Sequence, residues 1–254
     1  MSGHSKWSTI KHQKGIADAK RGAMFTKLSR DIALAVREGG GGDVDMNFRL
    51  RLAVEKAKNN NMPQENILRA IKRASGGGEG AEDLEEIIYE GYGPGGGAIL
   101  LQALTPNRNR TAADVRSTFT KCGGNLGESG CVAWNFESRG LITVEMPDEE
   151  KGEELGLLAI DAGAEDVNLE DGVLEIFTAP ELLLEIRSTL EAEGVKPESA
   201  EVSMVPKATI TLEDSAAEQT LKLLDSLEDL DDIQKAYTNA DFPQEVLEKY
   251  QVSS

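Results

Sequence analysis

The residues of this chain that could bind a ligand are chiefly lysines and arginines, which are concentrated near the N-terminus. Residues 1–78 contain 15 Lys and Arg against 7 Asp and Glu, whereas the remainder of the 254 residues contains 12 against 38. A cationic segment joined to an acidic body indicates an oriented contact with a polyanion, because the body is repelled by the surface that attracts the segment. The alternative is a solvated helical surface without a partner.

The first 15 residues have no apolar periodicity and are predicted to form a mobile tail. Its lysines could neutralise phosphates while Trp7 stacks on a base. Alternatively, Trp7 folds back onto the first helix. His4 and His12 have no third ligand nearby, so a metal site is not expected there.

Three short helices are predicted to position these cations. Apolar residues at helical spacing, beginning at Phe25, predict one helix over 16–38 that ends at the glycines 39–42. A second helix is expected over 46–58. A third begins at Pro63, with Ile67, Leu68 and Ile71 as its core face. Short connections make this module a small bundle.

The candidate nucleic-acid-binding residues lie on the tail and on the outward faces of these helices. They are Lys6, Trp7, Lys11, Lys14, Lys20, Arg21, Lys27, Arg30, Arg37, Arg49, Arg51, Lys56, Lys58, Arg69, Lys72 and Arg73. They are spread over several helices without a recognisable helix-turn-helix, which favours contacts to the nucleic-acid backbone over base readout.

A second candidate site lies in TPNRNRT (105–111). Thr111 and Asp114 resemble a capping box, which predicts a helix start beside Arg108 and Arg110. Arg108, Arg110 and Thr111 could therefore form a small anion site. They could equally form salt bridges in an acidic domain.

Catalytic patterns are missing from the sequence. It contains no Ser-His-Asp arrangement, metal triad or nucleophile elbow. The glycines of GYGPGGG (91–97) match GxGxxG, but a strand rather than a helix is expected after them, so a tight turn is the better interpretation. No catalytic residue, metal or cofactor is therefore predicted.

The acidic body is predicted to be α+β. Residues 140–206 follow the order β-α-β-β-α-β of a ferredoxin-like unit. The flanking segments supply further strands and helices, among them strands expected over 131–136 and 208–212. The predicted fold is an N-terminal three-helix bundle plus two α+β domains, one inserted in the other. The expected boundaries are 1–78 for the bundle, 79–138 with 207–254 for one α+β domain, and 139–206 for the inserted domain.

A cytoplasmic protein without a membrane contact is expected. No window of about 18 apolar residues occurs, and the basic, polar N-terminus lacks the apolar stretch of a signal peptide. The two cysteines, Cys122 and Cys131, support neither a disulfide framework nor a cysteine zinc site.

Four stretches of the sequence closely resemble the YebC family. They are MSGHSKW at the N-terminus, KNNNMPQENILRAIKRASG (58–76), YEGYGPGGGAILLQALTPNRNRT (89–111) and GGNLGESGCVAWNF (123–136). Pro106 stands where the family usually has Asp. The resemblance implies a helical bundle with two α+β domains and a non-enzymatic regulator. Family members are described either as DNA-binding transcriptional regulators or as translational activators linked to the ribosome.

The leading hypothesis is therefore a nucleic-acid-binding regulator of gene expression anchored by the basic module. DNA and rRNA both remain candidate targets, with a slight preference for structured RNA, because backbone contacts suit shape-led binding. The acidic domains could contact the ribosome or another protein. The alternatives are a protein-only adaptor and an enzyme with a site between the domains.

Overall fold

The computed structural model describes residues 18–76, 84–146, 148–170 and 172–253, with residues 18–21 and 251–253 described by their backbone only. Internal contacts divide these residues into two compact units. The first unit comprises residues 18–132, 212–236 and 242–253, and the second comprises 133–211 with 237–241. This division places the helical module and the first sheet in one unit. The three predicted domain boundaries remain a prediction.

Three helices form the basic module: α1 (Asp18–Glu38), α2 (Phe48–Asn59) and α3 (Gln64–Ala74). Their shared core consists of Leu28, Ile32, Ala35, Val36, Leu50, Val54, Ala57, Met62 and Ile67. The bundle predicted from periodicity is therefore present. One expected core residue is wrong: Leu68 is 56% exposed. It lies about 100° around the helix from Ile67, outside the narrow apolar stripe that Ile71 and Ala74 continue.

Asn47 fixes the connection between α1 and α2. Its Oδ1 accepts from the amide of Leu50 at 3.0 Å and so caps α2. Its Nδ2 donates to the carbonyls of Ala35 and Gly41, each at 2.8 Å. A Cβ at Gly39 would come within 2.1 Å of this side chain, so only glycine fits beside it.

The first sheet has the strand order β3-β1-β2-β9. Its strands are β1 (Glu85–Tyr92), β2 (Ala98–Thr105), β3 (Asn125–Leu126) and β9 (Ile233–Thr238). The strands β1 and β2 form an antiparallel hairpin in which Tyr92 pairs with Ala98. The GYGPGGG turn thus leads into a strand, as the sequence predicts. The helices of this part of the fold are α4 (Arg108–Lys121), α7 (Asp214–Glu228) and α8 (Gln244–Ser253).

The second sheet has the strand order β5-β6-β4-β7. Its elements follow one another along the chain as β4 (Phe136–Glu145), α5 (Glu149–Asp161), β5 (Asp166–Glu170), β6 (Val173–Thr178), α6 (Leu183–Ala192) and β7 (Ser199–Pro206). Numbered within this unit, the strands lie in the order 2-3-1-4, which is the ferredoxin-like arrangement. The α+β fold class is confirmed. A short parallel pair joins β8 (Ile210–Thr211) to β10 (Ala240–Asp241).

Three local expectations are wrong. The N-cap of α4 is Asn107, whose Oδ1 accepts from the Arg110 amide at 3.1 Å, so Thr111 lies inside the helix rather than capping it. The expected strand over 131–136 is a loop with a 3₁₀ turn, and β4 begins only at Phe136. The strand expected over 208–212 is reduced to the two residues of β8.

Candidate nucleic-acid interface

The predicted cations fall into three groups according to what they contact, apart from those that the structure does not describe. Lys6, Trp7, Lys11 and Lys14 lie outside the described residues, as do His4 and His12. Lys20 and Arg21 are placed on α1 by their backbone alone.

The first group, on α1, donates to backbone carbonyls of the remainder of its own unit. Lys27 Nζ donates to the carbonyl of Glu228, at the end of α7. Arg30 donates to the carbonyl of Asp231, and Arg37 donates to that of Leu84, just before β1. These contacts attach α1 to the first sheet and its helices.

Asp232 is the buried acceptor at the centre of this attachment, with a side chain only 6% exposed. Arg30 NH1 lies 3.1 Å from its Oδ1, and Arg110 NH2 lies 2.7 Å from its Oδ2. The hydroxyls of Thr111 and Thr105 lie 2.7 and 3.1 Å from Oδ2. Burial raises the pKa of Asp232, but the hydrogen bonds from Arg110, Thr111 and Thr105 and the Arg30 charge outweigh it, so the pKa is lowered.

The second group pairs within the helical module. Arg49 forms an ion pair with Glu38, and Lys56 Nζ lies 3.0 Å from Asp31 Oδ2. Arg51 donates to the carbonyl of Asp45 at 2.7 Å and to that of Val44 at 3.4 Å. These contacts join successive helices and shield part of the cationic charge.

The third group consists of Lys58, Arg69, Lys72 and Arg73, which are all exposed. Among the described residues, none forms a hydrogen bond or ion pair with these four side chains. Arg69, Lys72 and Arg73 follow one another at i, i+3 and i+4 on α3, so they share its solvent face. Lys58 lies at the end of α2, just before the turn into α3. We call these four residues the free cationic cluster.

In the candidate anion site near residue 105, one of the two arginines already has a carboxylate partner. Arg108 and Arg110 lie in the first turn of α4, and Arg110 pairs with Asp232. Hydrogen bonding to Asp232 raises the pKa of Arg110. The cleft beside it is also lined by Asp114, Asp229 and Asp231. Of the two interpretations, the described geometry favours the salt bridge.

No described helix is both long and apolar enough to cross a membrane. Within the same described ranges, no group of three His, Cys, Asp or Glu side chains has a metal-binding arrangement.

Comparisons with known proteins cover nearly the whole chain. Residues 5–77 match the N-terminal domain of the TACO1/YebC proteins, and residues 84–240 match the second and third domains of TACO1/YebC. A probable transcriptional regulatory protein of Dehalococcoides mccartyi is 56% identical over 98% of both chains. Another so named, from Geotalea uraniireducens, is 54% identical over 98% of this chain and 99% of its own.

A solved structure also matches the fold. The crystal structure of a conserved hypothetical protein from Aquifex aeolicus is 48% identical, with a TM-score of 0.81 over 92% of this chain and 96% of that one. The family match over residues 5–77 includes the three helices that carry the candidate cations. The chain belongs to the TACO1/YebC family.

Proposed function

We propose that this protein is a non-enzymatic regulator of gene expression that binds nucleic acid through the free cationic cluster of its helical module. The single observation that carries the proposal is the lack of acceptors around Lys58, Arg69, Lys72 and Arg73 among the described residues, on an exposed face. A cation without a protein acceptor can bind a phosphate without breaking an existing contact. Its binding also releases counterions from the nucleic acid.

The contacts of α1 reduce the number of candidate cations that are available to bind phosphate. Lys27, Arg30 and Arg37 already donate to carbonyls of the same unit, so binding phosphate would break these bonds. Arg49 and Lys56 would first have to leave Glu38 and Asp31. Among the candidates whose side chains the structure describes, the free cationic cluster is therefore the part that can bind phosphate without breaking a contact.

The names of the relatives support a role in transcription, and the family resemblance also includes translation. Either role needs a phosphate-binding surface, so binding is tested with both DNA and RNA. An enzyme remains the weaker alternative. Of the buried carboxylates, Asp232 is enclosed by its own arginines and threonines, and Glu90 accepts from two backbone amides.

The test is binding of the full chain to a fluorescent 25-base-pair duplex and to a folded RNA hairpin over a range of salt concentrations. The Arg69→Ala, Lys72→Ala double variant should bind more weakly, and the slope of log K against log salt should fall by about two, one for each lost phosphate contact. Alanine suits an exposed helix position, so the fold should be kept.

The matched control removes two exposed lysines from the second unit, Lys151 and Lys196. The Lys151→Ala, Lys196→Ala variant has the same net charge and should bind as the wild type does. Equal weakening of both variants would show that only net charge matters. Wild-type binding to neither polymer would refute the proposed function itself.

A further inference from the structure

We infer that α2 and α3 act as a helix-turn-helix and that the first half of α3 reads base edges in the major groove of duplex DNA. This inference rests on the proposed function and adds to it, because phosphate contacts alone carry no sequence information. It assigns base contacts to Gln64, Glu65 and Leu68, none of which is among the candidate cations.

The connection between the two helices has the length that this use requires. Four residues separate the end of α2 at Asn59 from the start of α3 at Gln64. The helix-turn-helix motif joins its helices by a turn of three or four residues. The sequence alone shows no recognition helix of base-reading Arg, Asn and Gln residues, so it predicts no helix-turn-helix here.

The turn is firmly held rather than loose. The amides of Asn61 and Met62 donate to the carbonyls of Lys58 and Ala57 at 2.9 and 3.0 Å. Asn61 has a left-handed φ of 56°, and the side chain of Met62 is buried in the helical core. A fixed turn gives the second helix a defined direction, which base reading needs.

The residue types change along the exposed face of α3. Its first half presents Gln64, Glu65 and Leu68, whereas its second half presents the cations Arg69, Lys72 and Arg73. In bound helix-turn-helix proteins, the N-terminal residues of the second helix contact base edges. Glutamine pairs with adenine, glutamate accepts from the cytosine amino group, and apolar groups contact the thymine methyl.

Leu68 is the apolar residue of this set. A single exposed leucine is ordinary on a protein surface, but a side chain that is 56% exposed is available for an apolar contact. The methyl groups of thymine offer it an apolar contact in the major groove. Glu65 would repel a phosphate, and its place in the first turn of α3 is also favoured by the helix dipole.

Duplex DNA fits this face better than RNA does. The DNA major groove is about 12 Å wide and admits an α-helix. The corresponding groove of an RNA duplex is too narrow for side chains to read. At 1.5 Å per residue, the 11 residues of α3 span roughly 16 Å, enough to place one end over bases and the other over phosphates.

The test starts with the full chain and a pool of duplexes that contain a random 20-base-pair segment. The most enriched duplex and its scrambled version are then compared with three proteins: wild type, the Gln64→Ala, Leu68→Ala variant, and the Arg69→Ala, Lys72→Ala control. The first variant should lose roughly tenfold or more of the discrimination between the duplexes, with an unchanged salt slope. The control should weaken both duplexes equally.

Each remaining outcome contradicts the inference. Enrichment of no sequence, or an unchanged ratio in the Gln64→Ala, Leu68→Ala variant, would refute base reading while leaving phosphate binding intact. Binding to the RNA hairpin but not to any duplex would refute the choice of DNA and keep the proposed function. Wild-type binding to neither polymer would refute both. Circular dichroism of each variant checks that the helices are retained.

Discussion

Arg30 and Asp232 form an ion pair in which both side chains are largely buried. The side chain of Arg30 is 12% exposed, that of Asp232 is 6% exposed, and Arg30 NH1 lies 3.1 Å from Asp232 Oδ1. The pair joins α1 to the segment just before β9, so it attaches the helical module to the first sheet within one unit. A cation held in this way contributes to folding and is not available to phosphate.

The Asp232→Asn variant should be strongly destabilised. It leaves Arg30 and Arg110 without their counter-charge, and one carboxylate oxygen becomes an NH₂ group that faces either Arg30 or the donors at the Oδ2 position. Removing one partner of a buried pair costs about 3 kcal/mol or more in the free energy of unfolding. Urea denaturation of the full chain measures the loss. Asp231→Asn is the control, because Asp231 is exposed and contributes its backbone carbonyl to Arg30; its effect should stay within about 0.5 kcal/mol.

Acid should remove the contribution of Asp232. Its folded-state pKa lies below the ordinary 3.8, so the folded state binds this proton less readily than the unfolded state does. The stabilisation is therefore complete above the unfolded pKa and is lost as the pH falls through the lower, folded pKa. The difference in unfolding free energy between wild type and Asp232→Asn should stay constant from pH 7 down to about 5 and then shrink below pH 4. A constant difference down to pH 2 would contradict this assignment.

Periodicity and turn chemistry predict most of the fold but little of the electrostatic arrangement. The apolar spacing from Leu28 to Val36 is a local property, so it locates α1 correctly. Whether Arg30 faces solvent or Asp232 depends on residues about 200 positions away, which no local pattern contains. The sequence therefore places Arg30 outside the core, where charge reversal would be harmless to the fold. The structure predicts that Arg30→Glu breaks the contact between α1 and Asp232. A loss of nucleic-acid binding in this variant would therefore not report on phosphate contacts.

The buried Glu90 should be needed to hold the loop between β3 and β4. Its Oε1 and Oε2 accept from the amides of Gly130 and Val132 at 2.6 and 2.8 Å. Glu90→Gln would turn an NH₂ group toward one of these amides and leave it unpaired, which costs about 1–3 kcal/mol. Faster hydrogen exchange at Gly130 and Val132 would show that the loss is local. The exposed Glu85 serves as the control, and Glu85→Gln should change neither quantity.

Asn47 should be the most sensitive polar residue of the helical module. It is 2% exposed, and its side chain makes three hydrogen bonds. It accepts from the Leu50 amide as the cap of α2, and it donates to the carbonyls of Ala35 in α1 and Gly41 in the following loop. Asn47→Ala removes all three hydrogen bonds and leaves buried partners unpaired, so about 2–3 kcal/mol should be lost.

Asn47→Ser separates these roles, because serine can still accept from the Leu50 amide but cannot donate to both carbonyls. Its unfolding free energy should fall between those of wild type and Asn47→Ala. If serine were as harmful as alanine, the two donated bonds rather than the cap would carry the stabilisation. If neither substitution changed the midpoint of urea denaturation, the side chain would not be what orders the turn between α1 and α2.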